Sequence, residues 1–331
     1  MGEVGGKRVF KCYREGIRAS PGGAHAIDRS ERNLMSQKTT ISKGGLTAAV
    51  DSMGAQLTSL ALNGKEYLWQ ADPAFWGKHA PILFPIVGSI RDGRAESAAG
   101  PCSMARHGVA RINEHKLLGV SEDGSSVTYE LTDSAATLEQ FPFHFKLNMT
   151  YAITGEATLT QTFKVTNTGD VDLPFSVGGH PAFNVPAPGA EGEEFEDYEL
   201  KFTRPWTCEV PVITEDGLMT FEGSYTAPDN ADAIKLTHDS FAKDAIVLTD
   251  VPDSTLTLLG TKSGHGVRVD FDGFKFIGIW SPMNDAPFVA LEPWTGHSTL
   301  DTEDNVFEHK DNITVLAPGE TDERSFSITL L

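Results

Sequence analysis

The sequence predicts an all-β protein, a large antiparallel sandwich or barrel. Three observations carry this. Residues from Lys38 onward fall into short runs that alternate apolar and polar with period two. Gly, Asp and Asn punctuate those runs at turn spacing. Almost no stretch keeps a helical period over three turns.

Ala55–Leu62 alternates loosely and meets Asn63-Gly64, a strong two-residue hairpin signal. Lys146–Ile153 (KLNMTYAI) and Leu159–Val165 (LTQTFKV) are two period-two runs joined across a turn at Gly155. Gly169-Asp170 turns the chain into Leu173–Val177. Ala245–Thr249, Thr255–Leu259 and Val267–Phe271 follow, then a turn at Asp272-Gly273 and Phe274–Trp280. Phe288–Leu291 and Ser325–Leu331 complete the series. No linker or composition break interrupts 36–331, which reads as a single domain, and no internal repeat is visible.

The first 35 residues differ. They hold seven Lys/Arg and four Asp/Glu, near +3, against about −22 for the remainder of a chain whose net charge is −19. This segment reads as a flexible, dispensable N-terminal extension. Glu3, Glu15, Asp28 and Glu31 argue against a transit peptide, and Met35 offers an alternative start. No apolar run approaches the roughly 18–20 residues of a membrane-spanning helix. An excess of 46 acidic over 27 basic residues opposes binding to nucleic acid or anionic membranes and points to a small-molecule partner. Cys12, Cys102 and Cys208 are odd in number and far apart, which fits a reducing, cytoplasmic setting.

Dinucleotide, phosphate-loop, zinc-protease and nucleophile-elbow motifs are absent. His107 and His115 are eight apart with no Cys or His between them, a weak zinc pattern. The expectation is therefore side-chain chemistry with no cofactor and no metal. Three segments set polar residues in apolar, glycine-rich surroundings: Met104–Arg111 (MARHGVAR), Ser176–Val185 (SVGGHPAFNV) and Phe288–Trp294 (FVALEPW). In the last, Glu292 ends an apolar strand of four residues, where an unpaired charge would cost several kcal/mol. Taken singly, Glu292 also reads as a strand-end carboxylate paired with an arginine or turned to water. His180 reads as a buried histidine bonded to backbone, and His107 as a turn residue. Arg91, Arg94 and Arg111 read as surface charges, and Phe183, Trp280 and Trp294 as core.

Together, and in order, these segments resemble the aldose 1-epimerase superfamily in its bacterial branch with short motifs. The resemblance runs through WQADPAFWGKHAPILFPIVGSIRDGR (Trp69–Arg94), HGVAR (His107–Arg111), SVGGHPAFNVP (Ser176–Pro186), FDGFKFIGIW and FVALEPWTG (Phe271–Gly296), and LAPGE (Leu316–Glu320). It implies a β-sandwich of the galactose mutarotase-like supersandwich type with an open sugar groove, acting as a monomer or dimer. It implies His180 as general acid on the ring oxygen and Glu292 as general base on the anomeric hydroxyl. It further implies His107, Arg91 and Arg111 as sugar-positioning residues, and Phe183 and Trp280 as apolar walls. Two departures stand out: Ala105-Arg106 where relatives often show Pro-Gln, and His297-Ser298-Thr299 where they show a shorter stretch.

The chemistry suits these residue types. Ring opening needs a base at O1 and an acid at the ring oxygen, and reclosure after rotation about C1–C2 yields the other anomer. A carboxylate near His180 would hold the imidazole partly protonated near neutral pH. The alternatives are a hexose 6-phosphate 1-epimerase, with Arg91, Arg94 and Arg111 as the phosphate clamp, a non-catalytic carbohydrate-binding module, and a glycosidase. The last needs two flanking carboxylates, and only Glu292 has a suitable setting.

Overall fold

The computed structural model describes residues 36–331, which form one compact unit; the extension read over residues 1–35, with Cys12, lies outside the described residues. Two antiparallel sheets dominate. The larger has nine strands in the order Ala231–Lys235, Tyr198–Trp206, Thr255–Gly260, Gly266–Asp270, Thr321–Leu330, Thr158–Asn167, Phe145–Ile153, Ser126–Thr132 and Lys116–Val120. The smaller has six, running Ile246–Thr249, Phe276–Trp280, Phe288–Trp294, Gly178–Gly179 and Ile82–Leu83, with Ala182–Asn184 also paired to Phe288–Trp294. The large antiparallel β-sandwich read from the sequence is the fold observed.

Local chemistry explains the elements. Asn63 and Gly64 both take positive φ (51° and 77°), as a tight hairpin turn requires, and Leu62 pairs with Lys65 across it. Phe145–Ile153 buries every second residue, so Phe145, Leu147, Met149, Tyr151 and Ile153 point into the core. Its other face is solvated, and threonine and serine hydroxyls pair there across strands, as in Thr128 with Thr150 and Thr162 with Ser325. The same alternation sorts the smaller sheet. Ile277, Ile279, Val289 and Leu291 join the main core. Phe276, Trp280, Phe288, Ala290 and Trp294 face the other way, into two smaller apolar clusters.

Phe288–Trp294 is longer than the four-residue run read from sequence, and all seven residues are buried. Glu292 therefore does not end the strand. It sits within it, paired in register with Gly278. Among the described residues no helix is long and apolar enough to cross a membrane.

Candidate active site

Period two places Glu292 on the same face as Phe288, Ala290 and Trp294, away from the main core. The adjacent strand brings His180 beside it. Gly178 pairs with Trp294 and Leu83, and a Cβ at Gly178 would meet the Trp294 ring at 2.7 Å, one at Gly179 the Phe326 ring at 2.6 Å. Two glycines thus let the backbone lie close enough for the next residue to reach the pocket. The His180 N–H donates to Pro81 O at 3.0 Å, and its Nε2 lies 3.2 Å from Glu292 Oε1. Both side chains are nearly closed to solvent, at 10 % and 2 %. His180 Nδ1 and Glu292 Oε2 have no protein partner.

The pair opens onto a cavity of about 300 Å³ lined by Trp76, Lys78, Arg106, His107, Arg111, Asp244, Trp280 and Trp294. Trp76 stacks on His180 with ring centroids 4.9 Å apart and planes 20° apart, and Trp280 meets the imidazole edge-on at 5.8 Å. His107 lies 5.9 Å from His180, nearly perpendicular. Its Nδ1 accepts the Gly88 N–H at 3.1 Å, so the neutral ring carries its proton on Nε2.

Electrostatics follows from burial. Desolvation, then the Arg106, Lys78 and Arg111 charges, push His180 down to about 3. Desolvation pushes the Glu292 carboxyl well above the usual range; Arg106 opposes this and Asp244 reinforces it. His107 is held well below 6.5 by burial, with His180 and the three cations adding to it. The expectation that the carboxylate keeps His180 protonated is thus corrected for the free protein. Burial of both partners outweighs their attraction and favours a neutral imidazole beside a protonated carboxyl.

Of the residues read from sequence, the structure brings His180, Glu292, His107, Arg111 and Trp280 to one cavity. Two lie elsewhere. Arg91 donates through Nη2 to the Leu300, Asp301 and Glu303 carbonyls, each at 3.1 Å, so its guanidinium organises that turn. Phe183 is fully buried in the main core, because alternation along Ala182–Asn184 sends Ala182 to the outer cluster and Phe183 inward. Arg94 lies at the surface. Sequence reasoning missed Trp76, Lys78, Arg106 and Asp244 as lining residues. The segment Trp69–Arg94 marked the first two only as part of a motif, and loop charges such as Asp244 give no periodic signal. Asp244 accepts the Ala245 N–H at 2.8 Å and faces Arg106 at 3.5 Å. His115 is a core histidine bonded through Nε2 to Ala110 O at 3.1 Å. Among the described residues, no three His, Cys, Asp or Glu side chains group as a metal site.

The model of the aldose 1-epimerase family matches residues 37–321. A curated relative, Protein LacX (plasmid) of Lactococcus lactis subsp. lactis, is 39% identical over 294 residues, covering 86% of this chain and 97% of its own. A solved galactose mutarotase related enzyme from Lactobacillus acidophilus superposes with a TM-score of 0.82 at 29% identity, covering 89% of this chain and 97% of its own. A galactose mutarotase-like protein from Lactobacillus casei gives 0.79 at 28% identity, covering 89% and 100%.

Proposed function

From the premise that the chain belongs to the aldose 1-epimerase family, we propose that it interconverts the α and β anomers of an aldohexose, with His180 and Glu292 as the proton-transferring pair. The observation that carries this is their 3.2 Å separation at the wall of the aromatic-lined cavity. In a pyranose, O1 and the ring oxygen are both bonded to C1. The base and the acid that open the ring must therefore stand within a few Å of each other, as these two do.

The reaction is a paired proton transfer. Glu292 takes the O1 proton, His180 delivers one to the ring oxygen, and the C1–ring oxygen bond breaks to give the aldehyde. Rotation about C1–C2 and the reverse transfers close the other anomer. Opening leaves a neutral imidazole beside a protonated carboxyl, the arrangement that burial favours. Binding of the closed sugar brings hydroxyl donors to the carboxylate, including its unpartnered Oε2, and shifts the shared proton to His180. Each positioned group contributes about 10²–10⁴-fold, enough together for a reaction that already proceeds in water. Trp76 and Trp280 offer apolar faces to the sugar ring, and His107 Nε2–H and Arg111 offer donors to its hydroxyls. Two buried free cysteines, Cys102 and Cys208, support a reducing, cytoplasmic setting.

A second reading is favoured by one observation. Lys78, Arg106 and Arg111 all face the cavity, and Arg111 Nε has no protein partner. This supports a hexose phosphate as substrate, held by these three cations and not by the Arg91 and Arg94 expected from sequence. Anomeric exchange followed by one-dimensional NMR on free and 6-phosphorylated hexoses, with EDTA present, tests both. Acceleration should appear with at least one aldose, and the ratio of kcat/KM values decides between the free and phosphorylated class. No acceleration with any member would place the protein among non-catalytic sugar binders.

A further inference from the structure

We infer that Ser298 is a positioning residue for His107, acting through the Gly88–Ser89 dipeptide to fix which imidazole nitrogen carries the proton. The inference rests on the proposed role of His107 as a donor to the sugar. His107 is tied to Gly88 twice: its N–H donates to Gly88 O at 2.8 Å, and its Nδ1 accepts the Gly88 N–H at 3.1 Å. The second bond sets the tautomer, because a ring nitrogen that accepts cannot carry the proton. Nε2 is then the donor left for a ligand.

Gly88 keeps that N–H aimed only while its own backbone is held. Its φ is +69°, and a Cβ there would collide with Ser298 Oγ, so the 88–89 backbone lies directly against Ser298. The hold is two-sided. The Ser89 N–H donates to Ser298 Oγ at 3.1 Å, and the Thr299 N–H donates to Ser89 O at 2.9 Å. Ser298 and Thr299 are themselves buried, at 4 % and 3 % exposure. Behind them the buried Lys310 donates through Nζ to Thr299 Oγ1 at 2.9 Å and lies 3.7 Å from Glu303 Oε2. A continuous chain of bonds therefore runs from Lys310 through Thr299 and Ser298 to Gly88–Ser89, and from there to His107. Neither Ser298 nor Lys310 lines the cavity. None of the proton-transfer steps uses Ser298, Thr299 or Lys310.

The test is Ser298→Ala, read three ways. Imidazole ¹⁵N spectra of the sugar-free protein should show His107 protonated only at Nε2 in the wild type and as a mixture of tautomers in the variant. KM for the best aldose should rise about tenfold while kcat stays within about twofold, since the reacting pair is untouched. In a His107→Asn background, Ser298→Ala should have no further effect on KM, because its route of action is gone. If Ser298→Ala does not fold, Ser298→Cys keeps the volume with a weaker acceptor and takes the same readouts. An unchanged tautomer, or a KM increase of the same size in the His107→Asn background, overturns the inference. A lower melting temperature with wild-type tautomer and KM does so too. The spectra need no substrate, so a failure of the catalytic reading is distinguishable from a failure of this one.

Discussion

Replacing Glu292 by Gln should make the protein more stable and far less active, and both effects can be sized from the pocket. The wild-type carboxyl is 2 % exposed and its Oε2 has no partner. Burial raises its folded-state pKa well above 4.5. A raised carboxyl contributes stability that is fully present below the unfolded pKa and is lost as pH rises through the folded one. The unfolded chain gives up its proton near pH 4.3, while the folded chain retains it. The loss has a slope of up to about 1.4 kcal/mol per pH unit across the interval between the unfolded and folded values. Gln has the same shape and no proton to lose. For a chain of this size about 1 kcal/mol corresponds to roughly 2 °C, so Glu292→Gln should melt higher at pH 7–8, by up to roughly 3 °C for each pH unit between the unfolded and folded values, and no higher at pH 4. Without the base, kcat should fall by about 10²-fold or more, about 3 kcal/mol of barrier, while sugar binding survives. Scanning calorimetry from pH 4 to 8 and NMR exchange kinetics read the two effects. Near-normal turnover would show that Glu292 is not the base. A stability difference independent of pH would show that its pKa is not raised.

Other outcomes follow from the same geometry. The proposed mechanism keeps one proton between the members of the pair, so kcat/KM should be a broad bell. Its acidic limb should lie near His180's depressed value of about 3 and its alkaline limb above the ordinary carboxyl range; a limb at the ordinary histidine value of about 6.5 would contradict the burial account. Trp76→Leu lets water reach the imidazole that Trp76 now covers at 4.9 Å, so the acidic limb should move upward and KM rise several-fold; an unmoved limb would mean that burial is not what depresses His180. His180 also carries a stability term present above pH 6.5 and lost as pH falls toward about 3, since the unfolded chain binds a proton that the folded one refuses. His180→Gln should remove that part of the acid sensitivity, measured by urea midpoints. Arg91→Met should lower the melting temperature by loosening the 300–303 turn and leave KM within about twofold; a KM rise of tenfold or more would return Arg91 to the sugar site.

Much of this was legible in the sequence because β structure writes itself locally. Asn63-Gly64 fixed its hairpin, and the runs at 146–153 and 159–165 became neighbouring strands of the nine-stranded sheet. The polar residues that interrupt glycine-rich apolar segments, His107, His180 and Glu292, came together because a turn, a strand end and the outward face of the neighbouring strand meet at one cavity. What failed was direction and reach. Phe183 and Arg91 belong to the right segments, yet alternation turns the first inward and three carbonyls claim the second. The apolar run stops at Leu291, so the continuation of the strand through Glu292 to Trp294 gave no apolar signal, and Glu292 was placed at an end instead of within the strand. The proton balance of the His180–Glu292 pair was misread because attraction between charges is visible in a motif, whereas the depth of a pocket is not.

The strand Phe288–Trp294 has both neighbours paired and every side chain buried. Backbone amides in such a place exchange with solvent only when the whole domain opens. The Glu292 amide should therefore rank among the slowest-exchanging in the molecule, and denaturant should abolish turnover and the β-sheet signal at one midpoint. A mobile catalytic loop would let activity vanish first, in a still-folded protein. Here the carboxyl proposed as the base should belong to the last cooperative unit to open, so that inactivation and global unfolding become one event.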